Sequence, residues 1–445
     1  MKKLLAVFFA FLIILPFSAG AEKVKKLPDA FQITYQVKER LINSDQSFIS
    51  KEYITTRQKS VDKIINAIVD EYDDEMSPGM KKASNPRRNS RLDIHVVHSF
   101  SGQSAMSFLV LARETLNRNQ LRSPFRCLSF DMATGEKITL SHLFPEDSEA
   151  WDVMAEAVYG TLSNYFPAIK ADEKKLNALC TREALQNASF MLEPVCLSLF
   201  YEADVLYPGK PSIMRVSIPY TSFIGMMTEY GLKQTDNSMY RMVALTFDDG
   251  PTYSQTATLL NHLRHYGAPS TFFIVGDRIA EYEDIVLRTN DENHSLQSHH
   301  FKHTDTTKST PARIQSYTKQ FYDALSNLTG TVPRMLRPPY GLDHPFAQAK
   351  VNLPIIQWDV DTKDWTGKSS AGVLSVVKAE TKDGSIILMH DIQEKTPESA
   401  KQVAKWLRDN GFMCVRVEDL FIHFGQEMRP NAVYYSVKQN EEALK

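Results

Sequence analysis

Cysteine is scarce in this chain, four in 445 residues, and no two stand in a Cys-x-x-Cys pair. Cys127, Cys180, Cys196 and Cys414 therefore do not read as a zinc or dithiol site. They are buried thiols, or disulfides if the chain is exported, with a pairing that spacing leaves open. Charge of one sign is lacking too: 51 basic against 53 acidic residues give a net charge of −2. That removes a general electrostatic case for nucleic acid or an anionic membrane. Also missing is an apolar run of the ~20 residues that a membrane-spanning helix needs. Residues 4–15 form a shorter run, between Lys2-Lys3 and Pro16 followed by Ser18-Ala19-Gly20-Ala21. This is the layout of a secretory signal, residues 1–21, with cleavage expected after Ala21; an uncleaved anchor is the alternative. From Glu22 to about Asp236 no catalytic constellation appears.

What is present is enough apolar mass for sizeable cores, 43% of residues, in a chain longer than a typical single domain. Residues 22–235 read as an α+β unit. Alternation at 31–37 predicts a strand, and Val61, Ile64, Ile65, Ile68 and Val69 form a helical stripe. Further strands are predicted at 94–100, 107–112, 127–132, 195–201 and 213–219, with helices at 149–165 and 175–188. His95, His98 and His142 are scattered and read as structural. The Arg-bearing stretch 81–91 reads as a solvated loop, and the polar segment 231–240 as a linker. From 242 onward, apolar strands (242–247, 270–275, 355–360, 385–390, 413–417) alternate with amphipathic helices (254–265, 278–288, 313–328, 371–380, 397–410). That alternation predicts an α/β barrel or a doubly wound parallel sheet. Residues beyond 425 read as a tail.

The chemistry gathers in the second half. Thr246-Phe247-Asp248-Asp249-Gly250-Pro251 sets two carboxylates at the end of an apolar strand that Gly250-Pro251 stops. Adjacent carboxylates repel, so the pair calls for a cation. About fifty residues later, four of the twelve histidines fall within His294–His303. The spacing of His299 and His303 lets two imidazoles converge on one ion, with a carboxylate of the first segment completing the set.

These motifs resemble the polysaccharide deacetylases of carbohydrate esterase family 4. The resemblance spans roughly residues 242–424 and comprises five motifs in the family's order. After the first two come Arg337-Pro338-Pro339-Tyr340-Gly341, then Asp361-Thr362-Lys363-Asp364-Trp365, then Leu388-Met389-His390. It implies a distorted (β/α) barrel with seven parallel strands over residues 236–425, behind a smaller α+β domain. The segment around Thr134-Gly135-Glu136 is similar to a small domain of bacterial extracytoplasmic proteins, some of them peptidoglycan deacetylases.

The resemblance also implies roles. Asp249, His299 and His303 would bind one divalent ion, zinc first and cobalt or another ion otherwise. Asp248 would be the general base paired with Arg337, and His390 the general acid oriented by Asp361. Tyr340 would offer its backbone N–H to an oxyanion and, with Trp365, a wall of the groove. Leu388 would line the acetyl-methyl pocket, and Asp364 would fix its loop. Trp358 reads as core. The expected reaction is removal of N-acetyl groups from an aminosugar polymer: peptidoglycan first, a chitin-like or biofilm glycan next. The protein would be exported to the periplasm, envelope or exterior, without stable membrane insertion after cleavage. Rival readings are an envelope glycan-binding protein with impaired turnover, and a hydrolase of a small amide. The sequence departs from the family at His300, where a Ser or Thr is usual, and at Asn293 and Gln297, where glycines are usual. His300 offers a competing imidazole beside the ligands.

Overall fold

In the computed structural model, residues 26–42, 47–82 and 89–437 are described. The signal segment and most of the 81–91 stretch lie outside them. No helix among the described residues is long and apolar enough to cross a membrane.

The first region is built on a seven-stranded, mostly antiparallel sheet. Its longest pairing joins Ser90–Ser101 to Ala105–Leu116. The helix Lys59–Lys82 lies on it because Val61, Ile65, Ile68, Val69 and Tyr72 recur every three to four residues and are all buried. Ile64, placed on that stripe from the sequence, is instead exposed. A three-stranded sheet, Ile213–Pro219, Cys196–Glu202 and Ser189–Leu192, completes the region together with short helices.

The second region holds a parallel sheet in the order Ser295–Ser298, Thr271–Ile274, Arg241–Asp248, Ile386–His390, Val360–Asp361. Phe412–Cys414 pairs with the first residues of the central strand. Single bridges through Leu336 link Ser298 to Ile355, where Ile355–Ile356 pairs with Val433–Tyr434. The architecture is α/β with parallel strands, as the alternation predicts, but among the described residues the sheets do not close into a seven-stranded barrel. The predicted 355–360 strand is broken into two short pieces. The 295–298 strand escaped prediction because its polar sequence Ser-Leu-Gln-Ser is buried for hydrogen bonding rather than for apolar contact. The expected tail is also partly structural: Tyr434 and Val437 are buried, since the 433–434 strand supplies the edge that 355–356 otherwise lacks.

The expected linker does not link loosely. Residues Glu229–Thr235 form a helix, Asn237 donates to Pro194 O at 2.8 Å, and buried Tyr240 donates to Gly102 O at 3.0 Å. One apolar cluster runs through both regions, from Phe31 and Ile49 to Met242, Met413 and Tyr434. Buried charges cross the same seam. Arg264 pairs with Glu52 of the first region (Nε to Oε2, 2.9 Å) and Glu292 of the second (2.6 Å). Arg416 pairs with Glu193 at 3.0 Å and Asp419 at 2.6 Å. The four cysteines are free, and Cys196 donates to Asp419 at 3.3 Å.

Candidate active site

Strand register builds the site. Asp248 stands beside His390, and Thr246 beside Leu388, on neighbouring parallel strands. Residues two apart share a face, so these four side chains form one cluster at the strand ends. Gly250 closes the turn because there is no room for a side chain: a Cβ there would lie 2.0 Å from Asp391 Oδ2.

The two carboxylates then part. Asp248 keeps strand geometry, whereas Asp249 adopts φ +77°, which turns its side chain away from its neighbour's. Asp249 Oδ1 lies 3.2 Å from His299 Nε2 and 3.1 Å from His303 Nε2. His299 Nδ1 donates to the carbonyl of Arg337 at 2.8 Å. A carbonyl only accepts, so the proton sits on Nδ1 and Nε2 presents a lone pair. Asp249 Oδ1 makes no hydrogen bond although it is buried. Acceptors converging at about 3 Å without a shared proton repel unless a cation lies among them. Among the described residues this trio is the one cluster suited to hold a metal ion. The donor set fits a divalent metal, and a third-party bond to His299 fixes its tautomer as such sites require.

Asp248 faces the other way. Arg337, fully buried, donates from Nη1 to Asp248 Oδ1 at 2.8 Å and to Thr246 Oγ1 at 2.7 Å. Its remaining donors go to the carbonyls of Ile356 (3.1 Å) and Gln357 (2.9 Å), and its plane lies over Phe273 at 4.2 Å. Burial lowers the Arg337 guanidinium from its ordinary value, and Asp248 offsets only part of that. Trp358 packs against the same guanidinium, partly buried, as expected of core.

Opposite stands His390, and its partner is not the expected one. Asp361 spends its carboxylate on the Lys363 N–H at 2.9 Å, capping a left-handed turn. The 3-10 turn Asp364–Thr366 instead carries Asp364 under the histidine, with Oδ1 2.9 Å from Nδ1. Asp364 thus does what the sequence reading assigned to Asp361. Burial disfavours the His390 imidazolium, but the Asp364 bond and the carboxylates of Asp248 and Asp249 outweigh it, raising His390 to about 9. One further group went unread: Thr396, which donates to Asp364 Oδ2 at 2.6 Å and has nothing in its local spacing to mark it. Asp391, next to His390 in the chain, is pushed by burial up to about 7.

Tyr340 has φ +60° and its ring stacks edge-on to His303 at 4.5 Å. Its backbone N–H meets no acceptor among the described residues. Tyr340 and Trp365 are 64% and 54% exposed, which suits groove walls, while Leu388 is buried on the His390 face. His300 points away from the Asp249, His299 and His303 cluster, onto Tyr317 and Phe346 (ring centroids 5.3 and 5.0 Å). The other departures have structural work, Asn293 at the seam and Gln297 within the second region. Asn293, at φ +71°, donates to Glu193 at 2.6 Å and accepts from Arg416, and Gln297 receives the N–H groups of Arg334 and Met335.

Comparison with known proteins gives a consistent picture. A family model described as polysaccharide deacetylase matches residues 235–352. A peptidoglycan-N-acetylglucosamine deacetylase, PgdA, of Listeria monocytogenes is 33% identical over 238 residues, 52% of this chain and 50% of that protein. A peptidoglycan-N-acetylglucosamine deacetylase of Bacillus cereus is 34% identical over 186 residues, 40% of this chain and 68% of that protein. A chitooligosaccharide deacetylase of Bradyrhizobium is 33% identical over 160 residues, 35% of this chain and 73% of that protein. The chain spans about half the length of the Listeria protein it matches.

Proposed function

The chain belongs to the polysaccharide deacetylase family, and from that premise we propose that it is a metal-dependent hydrolase of N-acetyl groups on an aminosugar polymer, peptidoglycan foremost. The observation that carries the reading is the divergence of Asp248 and Asp249: one carboxylate joins two imidazoles, the other a buried arginine. A metal held by Asp249, His299 and His303, zinc or cobalt in preference, would supply Lewis-acid polarisation and a more acidic water.

The chain's own residues account for the rest. Asp248 accepts the proton of the attacking water, and Arg337 keeps that carboxylate oriented toward it. As water adds to the acetamide carbon, the Tyr340 N–H donates to the developing oxyanion, a contribution of about 2.7–4 kcal/mol in comparable sites. His390, protonated and held by Asp364, gives its proton to the amine as the C–N bond breaks, leaving acetate and a free amine. Leu388 packs against the acetyl methyl, and Tyr340 with Trp365 flanks the sugar. The relatives' names favour envelope glycans, and the N-terminal segment favours export. His300 rests on Tyr317 and Phe346, which supports an intact ligand set over the impaired-turnover reading.

The test is acetate release from purified peptidoglycan and from N-acetylglucosamine oligomers with added zinc or cobalt. Asp248→Asn should cut kcat by roughly 10²–10⁴-fold while keeping its metal content, and His303→Ala should lose the metal. No release by the wild-type protein from any acetylated glycan would sink the reading.

A further inference from the structure

A hairpin of the first region reaches the rim of the candidate active site. The hairpin between Ala105–Leu116 and Asn119–Arg122 turns through Asn117 and Arg118, both left-handed (φ 51° and 68°). Arg118 is exposed, and its guanidinium carbon lies 3.8 Å from the ring centre of Tyr253. Tyr253 follows Asp248-Asp249-Gly250-Pro251 in the same loop, on the face where the strands end. The contact runs on along that rim. Tyr253 lies 4.7 Å from Tyr282, Arg278 stands 5.1 Å over Tyr282, and Arg278 Nε donates to Pro251 O at 2.9 Å.

Beside Arg118 and Tyr253 opens a cleft of about 530 Å³ between the two regions. Arg113 in its wall is committed, donating to Gln120 and to the Asp284 carbonyl. Two groups keep open hydrogen-bonding capacity. Asp284 Oδ1 is buried without a hydrogen-bond partner, its charge balanced only through space by Arg113 and Arg118, and no N–H of Arg118 finds an acceptor among the described residues. Leaving a buried oxygen unpaired is costly, so a packing contact alone gives no reason to keep it.

We propose that this cleft is a second glycan subsite, shared by the accessory region and the catalytic rim, for a sugar that carries a carboxylate. It rests on the aminosugar-polymer reading above. Tyr253 covers one face of the Arg118 guanidinium and leaves its in-plane N–H groups free for a bidentate carboxylate. Asp284 accepts from a hydroxyl or amide N–H of the same sugar. A glycan with a lactyl carboxylate on alternate sugars satisfies both groups, and a neutral N-acetylglucosamine polymer satisfies only Asp284. Two-point attachment of one strand raises its effective concentration at the catalytic site.

The experiment compares glycan strands bearing free lactyl carboxylates with an N-acetylglucosamine trimer, using wild-type protein, Arg118→Ala and Arg118→Lys. The ratio of kcat/KM on strands to that on trimer should fall about tenfold in Arg118→Ala and less in Arg118→Lys, through KM, with unchanged unfolding temperatures. A ratio that stays the same in Arg118→Ala overturns the subsite. Binding of fluorescent strands is measured in parallel: about tenfold weaker binding by Arg118→Ala supports the proposal, and equal binding refutes it. If wild-type protein binds strands through Arg118 yet releases no acetate from either glycan, the deacetylase reading fails and the subsite stands.

Discussion

Asp364 grips His390 twice. Its Oδ1 lies 2.9 Å from the ring Nδ1, and its Oδ2 accepts the backbone N–H of the same histidine at 2.8 Å. A side chain bonded to both ends of one residue fixes the ring plane as well as its tautomer, which a general acid requires. Asp361 has no such hold. Replacing Asp364 by Ala should lower kcat by roughly 10²–10⁴-fold, and Asp361→Ala should cost at most about tenfold, as a residue outside the proton path. Steady-state acetate release decides between them, and equal losses would restore Asp361 to the role.

The same pairing sets a pH dependence. His390 is raised to about 9, because the carboxylates around it outweigh the cost of burying its charge. The charged form is thus favoured in the folded protein. Its stabilisation is complete below the ordinary histidine value of about 6.5 and is lost as pH rises through about 9. Activity that needs the protonated ring should fall on the same alkaline limb. Asp364→Asn removes the largest raising influence and should move that limb toward neutrality. A kcat/KM profile between about pH 6 and pH 10 measures it; an unmoved limb would show that another group titrates there.

His300 is a packing residue rather than a fourth ligand. Its ring sits on Tyr317 and Phe346 with φ +66°, and burial pushes it down to about 4, so it stays neutral. His300→Ser should destabilise the protein by about 1–3 kcal/mol through the space it leaves, with metal content unchanged. Denaturant unfolding and metal analysis test both halves. A large gain or loss of metal without a stability change would contradict this placement.

Arg264 ties the two regions together. Its guanidinium is buried between Glu52 and Glu292. Arg264→Ala would leave buried Glu52 with only His265, and buried Glu292 with only Arg288 and His95, as ion-pair partners, and should cost about 3–5 kcal/mol. Because the seam also shares an apolar cluster, probes in either region should report one unfolding transition. Two separate transitions in the wild-type protein would show that the regions fold independently.

Much of the site was legible in the chain because its residues are local. Asp248-Asp249 end an apolar strand, and His299 and His303 lie four apart, a spacing that lets the two imidazoles converge on one point. The Arg337, Tyr340 and His390 motifs were legible only through the resemblance to the family, as short segments in its order. Three readings failed for a common reason: each depended on where a side chain or segment turns after its element ends. Asp361 and Asp364 differ by three residues, and only the turn at Lys363 decides which reaches His390. The polar 231–240 segment has the composition of a linker, yet its Asn237 and Tyr240 find buried partners. Residues 433–434 look like a tail until 355–356 offers them an edge.

The sequence by itself determined the donor types and their order, since metal ligation and proton transfer demand particular atoms at particular spacings. Only the tertiary structure decided the partners. Strand register brought Asp248 beside His390, and a left-handed residue separated Asp249 from its neighbour. Hydrogen bonds and ion pairs between distant segments cannot be read from local pattern, because their geometry exists only once the sheet and the seam have formed.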